Sequence, residues 1–431
     1  MINEERIGEL VGEGRIHRSV YVDRDIFELE LVKVFGGTWV YLGHDSEVRH
    51  PHDFVTRRLG HRPVILTRSA SGTVHALFNR CTHRAATICQ ESSGNRKRFT
   101  CAYHGWTFAS DGACVGVPYP AAYGPGFEKR NHDLRQVPRV AEYRGFWFGT
   151  LNPDAPELAE FLGPATYWID LFVDRAPDKA ITVHRPYRMT YRANWKLVWD
   201  NGSDGYHPAF SHKSILGMTH ARYGQGRSLD NFGAQDPDDG PMYNQTLGNG
   251  HTMLDQRPGM GDSYWRRARP MPTKEPMYEA LVERLGQEEA DRVVEMAPGP
   301  GLNLTVFPSF HLIGNQIVIV EPLDVALTGV TWFPTTLDGA PDEVNELRMR
   351  IAEDFPNFGE VDDFENFERQ QIGLSIPEIE WIDTSRGLSV DRSWVDERGM
   401  TTTPVTDDAP LRAYHQEWKR LMTTKMELIA R

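Results

Sequence analysis

The sequence has few cysteines, no long apolar run and no excess of positive charge. Its 431 residues include only Cys81, Cys89, Cys101 and Cys114, all within one short segment. Cysteines clustered in this way indicate metal binding more than a disulfide framework. No stretch approaches about 18 uninterrupted apolar residues, so we expect no transmembrane helix. The amino terminus, MINEERIGEL, lacks the apolar core of a secretion signal, and we expect a cytoplasmic protein.

The charge balance narrows the class of partner. The formal net charge is −13 at pH 7, which argues against nucleic acid because phosphate binding needs a basic face. An acidic surface instead favours docking of a partner with a basic patch. No G-x-G-x-x-G follows a predicted strand, so any dinucleotide chemistry must reside on another polypeptide.

Length and patterning predict three segments. Residues 1–38 form a helical segment, with a helix over about 24–35 that begins after Asp23 and ends at Gly36. Short strands and hairpin turns then follow one another, which predicts a small all-β domain over residues 39–152.

Residues 153–431 predict a larger α+β domain in which helices flank an antiparallel sheet. We expect a helix over 158–172, a strand over 183–195, successive strands over 302–333, and amphipathic helices over 343–355 and 411–426. The stretch 222–265 is rich in Gly, Asp, Asn and Pro, and it predicts a long functional loop.

Two cysteine–histidine pairs carry the first metal motif. Cys81 and His83 form C-x-H, and Cys101 and His104 form C-x-x-H after a short linker. Zinc fingers usually pair Cys with Cys and His with His. The alternation seen here favours a Rieske [2Fe–2S] cluster, in which two His replace two Cys on one iron. A zinc site and simple burial of these side chains are the alternatives. Cys89 and Cys114 are expected to be buried thiols without a metal.

A second histidine pair, His207 and His212, lies in DNGSDGYHPAFSH (200–212). Five residues span about 140° on a straight helix, so the two rings would not share a face. Pro208 disfavours helical geometry at His207 and can start a new turn, which could aim both imidazoles at one ion. With one distant carboxylate, two imidazoles form the triad that suits non-haem Fe(II).

The chain resembles the large (alpha) subunits of Rieske non-haem iron aromatic-ring-hydroxylating dioxygenases. The motifs that carry the resemblance are CTHRAA (81–86), CAYHGWTF (101–108), NWK (194–196), DNGSDGYHPAFSH (200–212) and LIGNQ (312–316). The resemblance extends from about Ser19 to Met422. The motif residues are most similar to those of the benzoate and anthranilate branch. Ala85 and Ala102 stand where the family usually has Gly and Pro. We expect these two differences to change at most the reduction potential of the cluster or the stiffness of its loops.

The resemblance implies the third iron ligand and the neighbours of the site. It assigns the carboxylate to Asp363, with Asp362 and Glu365 as competitors in the same acidic stretch. It also implies that Asp204 links His207 to a cluster-ligand histidine across a subunit boundary. The alternative for Asp204 is a helix cap.

Asn201 and Tyr206 would border the iron according to the same resemblance. The fold implied for residues 153–431 is a helix-grip, START-like domain that follows the inserted Rieske domain.

The implied reaction is cis-dihydroxylation of an aromatic ring, in which O₂ reacts with electrons that come from NADH through a separate reductase and possibly a ferredoxin. The implied assembly is an α₃ ring or, with small beta subunits, α₃β₃. The substrate is expected to be an aromatic carboxylic acid. A Rieske monooxygenase or demethylase is the alternative enzyme, and a cluster-only electron carrier and a zinc-stabilised binding module are alternatives of other classes.

Overall fold

The computed structural model describes residues 4–213, 242–256, 274–297, 299 and 301–425. The chain forms two compact units. The smaller unit comprises Leu31–Glu160 with Lys425–Arg431, and the larger unit comprises Met1–Glu30 with Phe161–Thr424. In the part of the chain that is described, no helix is both long enough and apolar enough to cross a membrane.

The amino-terminal segment is mainly helical but also contains two short strands. Its elements are α1 (Glu4–Glu9), β1 (Val11–Gly12), β2 (Arg15–His17), α2 (Ser19–Val22) and α3 (Arg24–Lys33). Asp23 Oδ1 accepts hydrogen bonds from the N–H groups of Asp25 and Ile26, at 2.9 and 3.2 Å. The helix expected after Asp23 is thereby confirmed. The strands were not expected, because two or three residues are too few to show a period.

The smaller unit contains three antiparallel sheets. Its strands are β3 (Val40–His44), β4 (Asp53–Leu59), β5 (Arg62–Arg68), β6 (Val74–Phe78), β7 (Ser93–Asn95), β8 (Arg98–Thr100), β9 (Thr107–Ala109), β10 (Cys114–Gly116), β11 (Arg139–Tyr143) and β12 (Phe146–Thr150). The sheet orders are β6-β5-β4-β7, β10-β9-β8 and β11-β12-β3. All four cysteines belong to one buried cluster that includes Phe99 and Trp106.

The larger unit contains the remaining elements. Its helices are α4 (Leu158–Leu162), which spans the unit boundary, α5 (Ala165–Val173), α6 (Lys196–Gly202), α7 (Pro208–Ser211), α8 (Lys274–Leu285), α9 (Gln287–Met296), α10 (Asp342–Phe358), α11 (Glu360–Leu374) and α12 (Ala409–Thr423). Its strands are β13 (Ile181–Val183), β14 (Tyr187–Tyr191), β15 (Tyr243–Thr246), β16 (Thr252–Asp255), β17 (Leu302–Val306), β18 (Phe310–Ile313), β19 (Gln316–Asp324), β20 (Leu327–Leu337), β21 (Trp381–Asp383), β22 (Trp394–Val395) and β23 (Thr401–Pro404).

A ten-stranded antiparallel sheet organises this unit, in the order β13-β20-β19-β18-β17-β16-β15-β23-β22, with β14 also paired to β20. Helix α6 lies against β17, and α10 lies against β20. The α+β class and the strands expected over 302–333 are confirmed. The apolar runs there are long and β-branched, which makes such strands readable from sequence.

Three local expectations were wrong. The helix expected over 158–172 is two helices, because Gly163 takes φ +49° and Pro164 precedes α5. The strand expected over 183–195 is interrupted near Pro186, which has no N–H for a ladder. Part of the loop expected over 222–265 is strand, since β15 and β16 pair with β23 and β17. Residues 247–251 form the turn between β15 and β16, and residues 222–241 and 257–265 lie outside the described residues.

Candidate metal centres

The first cysteine loop is a tight turn that closes on itself. Cys81 N–H donates to the carbonyl of Ala86 at 2.8 Å, and Ala85 N–H donates to the carbonyl of Cys81 at 3.1 Å. Ala85 adopts φ +63°, in the left-handed region that disfavours a side chain with Cβ. This backbone holds Cys81 in the cluster of buried side chains, and the ring of His83 stacks on that of Trp106 with centroids 4.9 Å apart.

The second cysteine loop repeats the same hydrogen bonds. Cys101 N–H donates to the carbonyl of Trp106 at 2.8 Å, and Gly105 N–H donates to the carbonyl of Cys101 at 2.9 Å. Gly105 takes φ +72° at the position that corresponds to Ala85. The two loops therefore present one thiol and one imidazole each from equivalent turns.

The four candidate cluster ligands converge. Cys81 and Cys101 are buried, and the rings of His83 and His104 lie 4.7 Å apart between centroids. Burial, with Cys101 beside it, raises the pKa of the Cys81 thiol. His83 Nδ1 is buried and has no hydrogen-bond partner among the residues described here. Two thiols, two imidazoles and an orphaned ring nitrogen fit a Rieske cluster.

Cys89 and Cys114 have no such arrangement. Both are buried in the cluster of apolar side chains, as expected. Burial, with the hydrogen bond to Glu91, raises the pKa of the Cys89 thiol to about 11. Neither cysteine stands in a C-x-H or C-x-x-H motif, so neither joins the site.

The second centre begins at the break between α6 and α7. His207 precedes the helix at Pro208, and His212 directly follows it. The short helix rotates the two rings toward each other, with centroids 5.3 Å apart. Pro208 starts this turn, as expected. The helical geometry that we expected Pro208 to disfavour at His207 is nevertheless present, with φ −67° and ψ −33°.

The candidate carboxylate is that of Asp363, in the first turn of α11. Its Oδ1 lies 3.7 Å from His207 Nε2 and 3.4 Å from His212 Nε2. Within the described ranges, one atom from each of these three residues lies within 4.8 Å of the others, a grouping compatible with a metal ion. Although burial disfavours a charged His212, the carboxylates of Asp363 and Asp362 outweigh it and raise its pKa.

The two competing carboxylates occupy other positions. Asp362 Oδ2 lies 3.5 Å from Nδ1 of His212, the nitrogen that faces away from Asp363. Glu365 pairs with Arg369 at 2.7 Å on the exposed side of α11. Geometry therefore separates Asp363, which contacts both histidines, from Asp362, which supports one of them.

Asp204 contacts His207 on its second nitrogen. Its Oδ2 lies 3.3 Å from His207 Nδ1, while its Oδ1 accepts a hydrogen bond from Tyr206 N–H at 2.6 Å. The carboxylate therefore stabilises a local turn rather than forming the helix cap that was its alternative, and it also contacts the candidate ligand. About a third of its side chain stays exposed.

Family models match both parts of the chain. Residues 38–142 match the Rieske [2Fe-2S] domain, and residues 178–424 match the catalytic domain of the ring hydroxylating alpha subunit. The chain belongs to the ring-hydroxylating alpha subunits. It is therefore a Rieske non-haem iron oxygenase, with residues for a [2Fe–2S] cluster and a mononuclear iron, and the expected enzyme class and cofactors are confirmed.

Related proteins match along almost all of the chain. The large subunit of 2-halobenzoate 1,2-dioxygenase from Burkholderia cepacia is 34% identical, with 96% of this chain and 91% of the relative covered. The large subunit of anthranilate 1,2-dioxygenase from Acinetobacter baylyi is 33% identical, with 95% and 90% covered. A naphthalene 1,2-dioxygenase structure with bound indole shares the fold, at TM-score 0.81 and 24% identity over 98% of this chain and 95% of that one.

Asn201 and Tyr206 lie in different surroundings. Asn201 lines a cavity of about 700 Å³ together with Asp204 and His207. Tyr206 is 44% exposed, and the guanidinium carbon of Arg386 lies 3.9 Å from its ring centroid. The structure thus places Asn201 near the candidate iron ligands and turns Tyr206 toward the surface.

The sequence analysis missed a buried network behind α6. Asp200 accepts hydrogen bonds from Tyr21 at 2.9 Å and from Tyr414, and its Oδ1 lies 3.1 Å from His415 Nε2. Lys196 pairs at 2.6 Å with Glu30, and both side chains are fully buried. These partners lie on α2, α3 and α12, far from α6 in sequence. The only indication of them in the sequence is that charged residues occur in α6, a helix that is otherwise buried.

Proposed function

We propose that the chain is the terminal oxygenase component that cis-dihydroxylates the ring of an aromatic carboxylic acid. The convergence of His207, His212 and Asp363 carries this proposal, with Asp204 on the outer nitrogen of His207. The acid-specific names of the two curated relatives support the substrate class. In the reaction, one O₂, two electrons and two protons add to the ring, so both oxygen atoms remain in the product.

Each set of residues has a defined role in this proposal. Cys81, His83, Cys101 and His104 hold the cluster, and the triad at Asp363 holds the iron. When bound, the cluster supplies single electrons and the iron supplies the chemistry of dioxygen. Asp204 fixes the tautomer and orientation of His207, as carboxylates commonly do for metal-bound histidines.

We infer that the working assembly is an α₃ ring or α₃β₃, in which Asp204 also receives a cluster-ligand histidine from a neighbouring copy. The exposed third of the Asp204 side chain, on the wall of the 700 Å³ cavity, leaves room for such a contact. Electrons would reach this assembly from NADH through a separate reductase, with or without a ferredoxin. The mass of the assembly, measured by light scattering with and without a co-expressed small subunit, distinguishes the two forms.

Isotope labelling tests the reaction. Purified oxygenase, NADH and a compatible reductase are given ¹⁸O₂ and benzoate, anthranilate or toluate, and the products are analysed by mass spectrometry. We expect a dihydrodiol that carries two labelled atoms. A singly labelled phenol or a demethylated product would instead favour the monooxygenase alternative, and a protein with no iron beyond the cluster would contradict both enzymes.

A further inference from the structure

Helix α6 has an inner face that lies on the sheet. Ser203, just after the helix, hydrogen-bonds through Oγ to Thr252 of β16. A Cβ atom added at Gly202 would lie 3.0 Å from His311 Cε1 and 3.3 Å from Thr305 Oγ1. One turn earlier, the ring of Trp199 lies 5.9 Å from that of His311. The absence of a side chain at Gly202 therefore lets α6 approach β17 and β18 closely, beside Thr305 and His311.

Three polar groups in this region lack protein partners. Trp199 Nε1, Thr305 Oγ1 and His311 Nε2 are buried and accept or donate no hydrogen bond within the described chain. Their residues are only 2%, 2% and 5% exposed. A buried polar group of this kind destabilises the fold unless something bound satisfies it. Three together at one place therefore indicate a ligand site rather than a packing defect.

A second buried histidine shows that burial alone does not leave an imidazole without hydrogen-bond partners. His251 is fully buried, yet its Nε2 lies 2.8 Å from the carbonyl of Phe161 and its Nδ1 accepts from Phe307 N–H at 3.1 Å. Both of its nitrogens serve the fold. His311 lies on the same sheet with Nε2 unsatisfied, so its position has a different purpose.

The strip that holds these groups opens at one end. Residues two apart on a strand share a face, so Asn303 lies beside Thr305, and Ile313 beside His311. Asn303 and Ile313 are cross-strand partners, and both are only partly buried. The three unpartnered groups therefore lie at the closed end of a strip that becomes accessible toward Asn303 and Ile313.

We propose that Trp199, Thr305 and His311 bind the carboxylate of the aromatic substrate, which deepens the proposed function and rests on it. An indole N–H only donates, and a hydroxyl and an imidazole can both donate, so together they suit a group that only accepts. Burial lowers the pKa of His311 to about 3. The imidazole is therefore neutral before the acid binds, and the ring of the substrate extends along the open strip.

Binding of an acid and of its uncharged analogue tests this subsite. Benzoate affinity is measured by calorimetry on the holoenzyme, and toluene affinity by headspace depletion. We expect Trp199→Phe, Thr305→Val and His311→Leu each to weaken benzoate binding about tenfold, as for a lost hydrogen bond to a charged group, and to change toluene binding less than about twofold. Thr305→Ser keeps the hydroxyl and should restore benzoate binding.

A matched control is Trp39→Phe, which removes an indole N–H that donates to the carbonyl of Pro156 at 2.9 Å in the smaller unit. Its benzoate affinity should equal that of the natural chain. Variants that retain iron and cluster but keep full benzoate affinity would overturn the subsite and leave the proposed function standing. If the natural chain binds none of benzoate, anthranilate and toluate, the substrate class and the subsite fail together.

Discussion

The two metal-binding regions of this oxygenase are built in opposite ways. The four cluster residues lie between positions 81 and 104, on two turns with the same hydrogen bonds. The iron residues come from the two ends of α7 and from α11, so His212 and Asp363 meet only after the larger unit has folded. The first site depends on local backbone geometry, and the second depends on how helices pack on a sheet. Their responses to substitution should differ accordingly.

The largest contrast should come from deleting one ligand at each site. Cys101→Ser should abolish the visible spectrum of the cluster and the inorganic sulfide, while mononuclear iron remains. His207→Ala should remove the mononuclear iron and leave the visible spectrum unchanged. Each variant should lose all detectable turnover, since both centres are needed. Loss of both metals from either variant would show that the sites do not form independently.

Two neighbouring carboxylates should differ in their effect on iron. Asp363→Asn should lose mononuclear iron, because Oδ1 of Asp363 contacts both histidines. Asp362→Asn should keep it, with affinity weakened about 10- to 100-fold at most, since Asp362 reaches only the outer nitrogen of His212. Iron per chain, corrected for cluster iron by the sulfide count, is the measurement. The reverse ranking would move the ligand assignment to Asp362.

Asp204→Asn should separate metal content from turnover. We expect both centres to remain and NADH-driven turnover to fall at least about 10- to 100-fold, because the amide no longer fixes His207 or carries a negative charge. Asp362→Asn is the matched control on the other histidine. Full turnover in Asp204→Asn would contradict the linking role of this residue.

Acid should destabilise the larger unit through its buried histidines. Burial, opposed by the hydrogen bond to Phe161, lowers the pKa of His251 to about 4. Below about pH 6.5 the imidazole of His251 is protonated in the unfolded chain but stays neutral in the folded chain. The free energy of unfolding therefore falls as the pH falls from about 6.5 to about 4. The loss is about 2 kcal/mol at pH 5 for one such histidine.

Urea unfolding at pH 7 and pH 5 measures this loss. His251→Gln can keep both hydrogen bonds and should lessen the acid sensitivity. The exposed His50, replaced in the same way, should leave it unchanged. An equal loss in the natural chain and in His251→Gln would show that other groups dominate.

The smallest effects should come from the two equivalent loop positions of the smaller unit. Ala85→Gly should stabilise it by up to about 1 kcal/mol, since only the left-handed φ is relieved. Gly105→Ala should destabilise it by about 1–2 kcal/mol or more, because its Cβ would also lie 3.1 Å from Pro118 Cγ. Thermal loss of the cluster absorbance compares them. We expect the two substitutions to change the stability of the smaller unit in opposite directions. Changes in the same direction would contradict the equivalence of the loops.

Prediction from sequence succeeded where the signal was local. The alternation of Cys and His around residues 81–104, the apolar runs over 302–333 and the helix start at Pro208 each depend on a few neighbouring residues. It failed where partners are distant: β15 and β16 have only four residues each, and they pair with β23 and β17, which lie far away in sequence. Tyr206 was expected beside the iron, but its side chain lies at the surface against Arg386.

By itself the sequence determined the α+β class, the candidate cluster ligands and the histidine pair, because spacing and chemistry are properties of neighbouring residues. Only the tertiary structure decided that Asp363 rather than Asp362 touches both histidines, since adjacent residues on α11 point in directions about 100° apart. It alone also brought Trp199, Thr305 and His311 together, because helix-on-sheet packing joins residues that no sequence period relates.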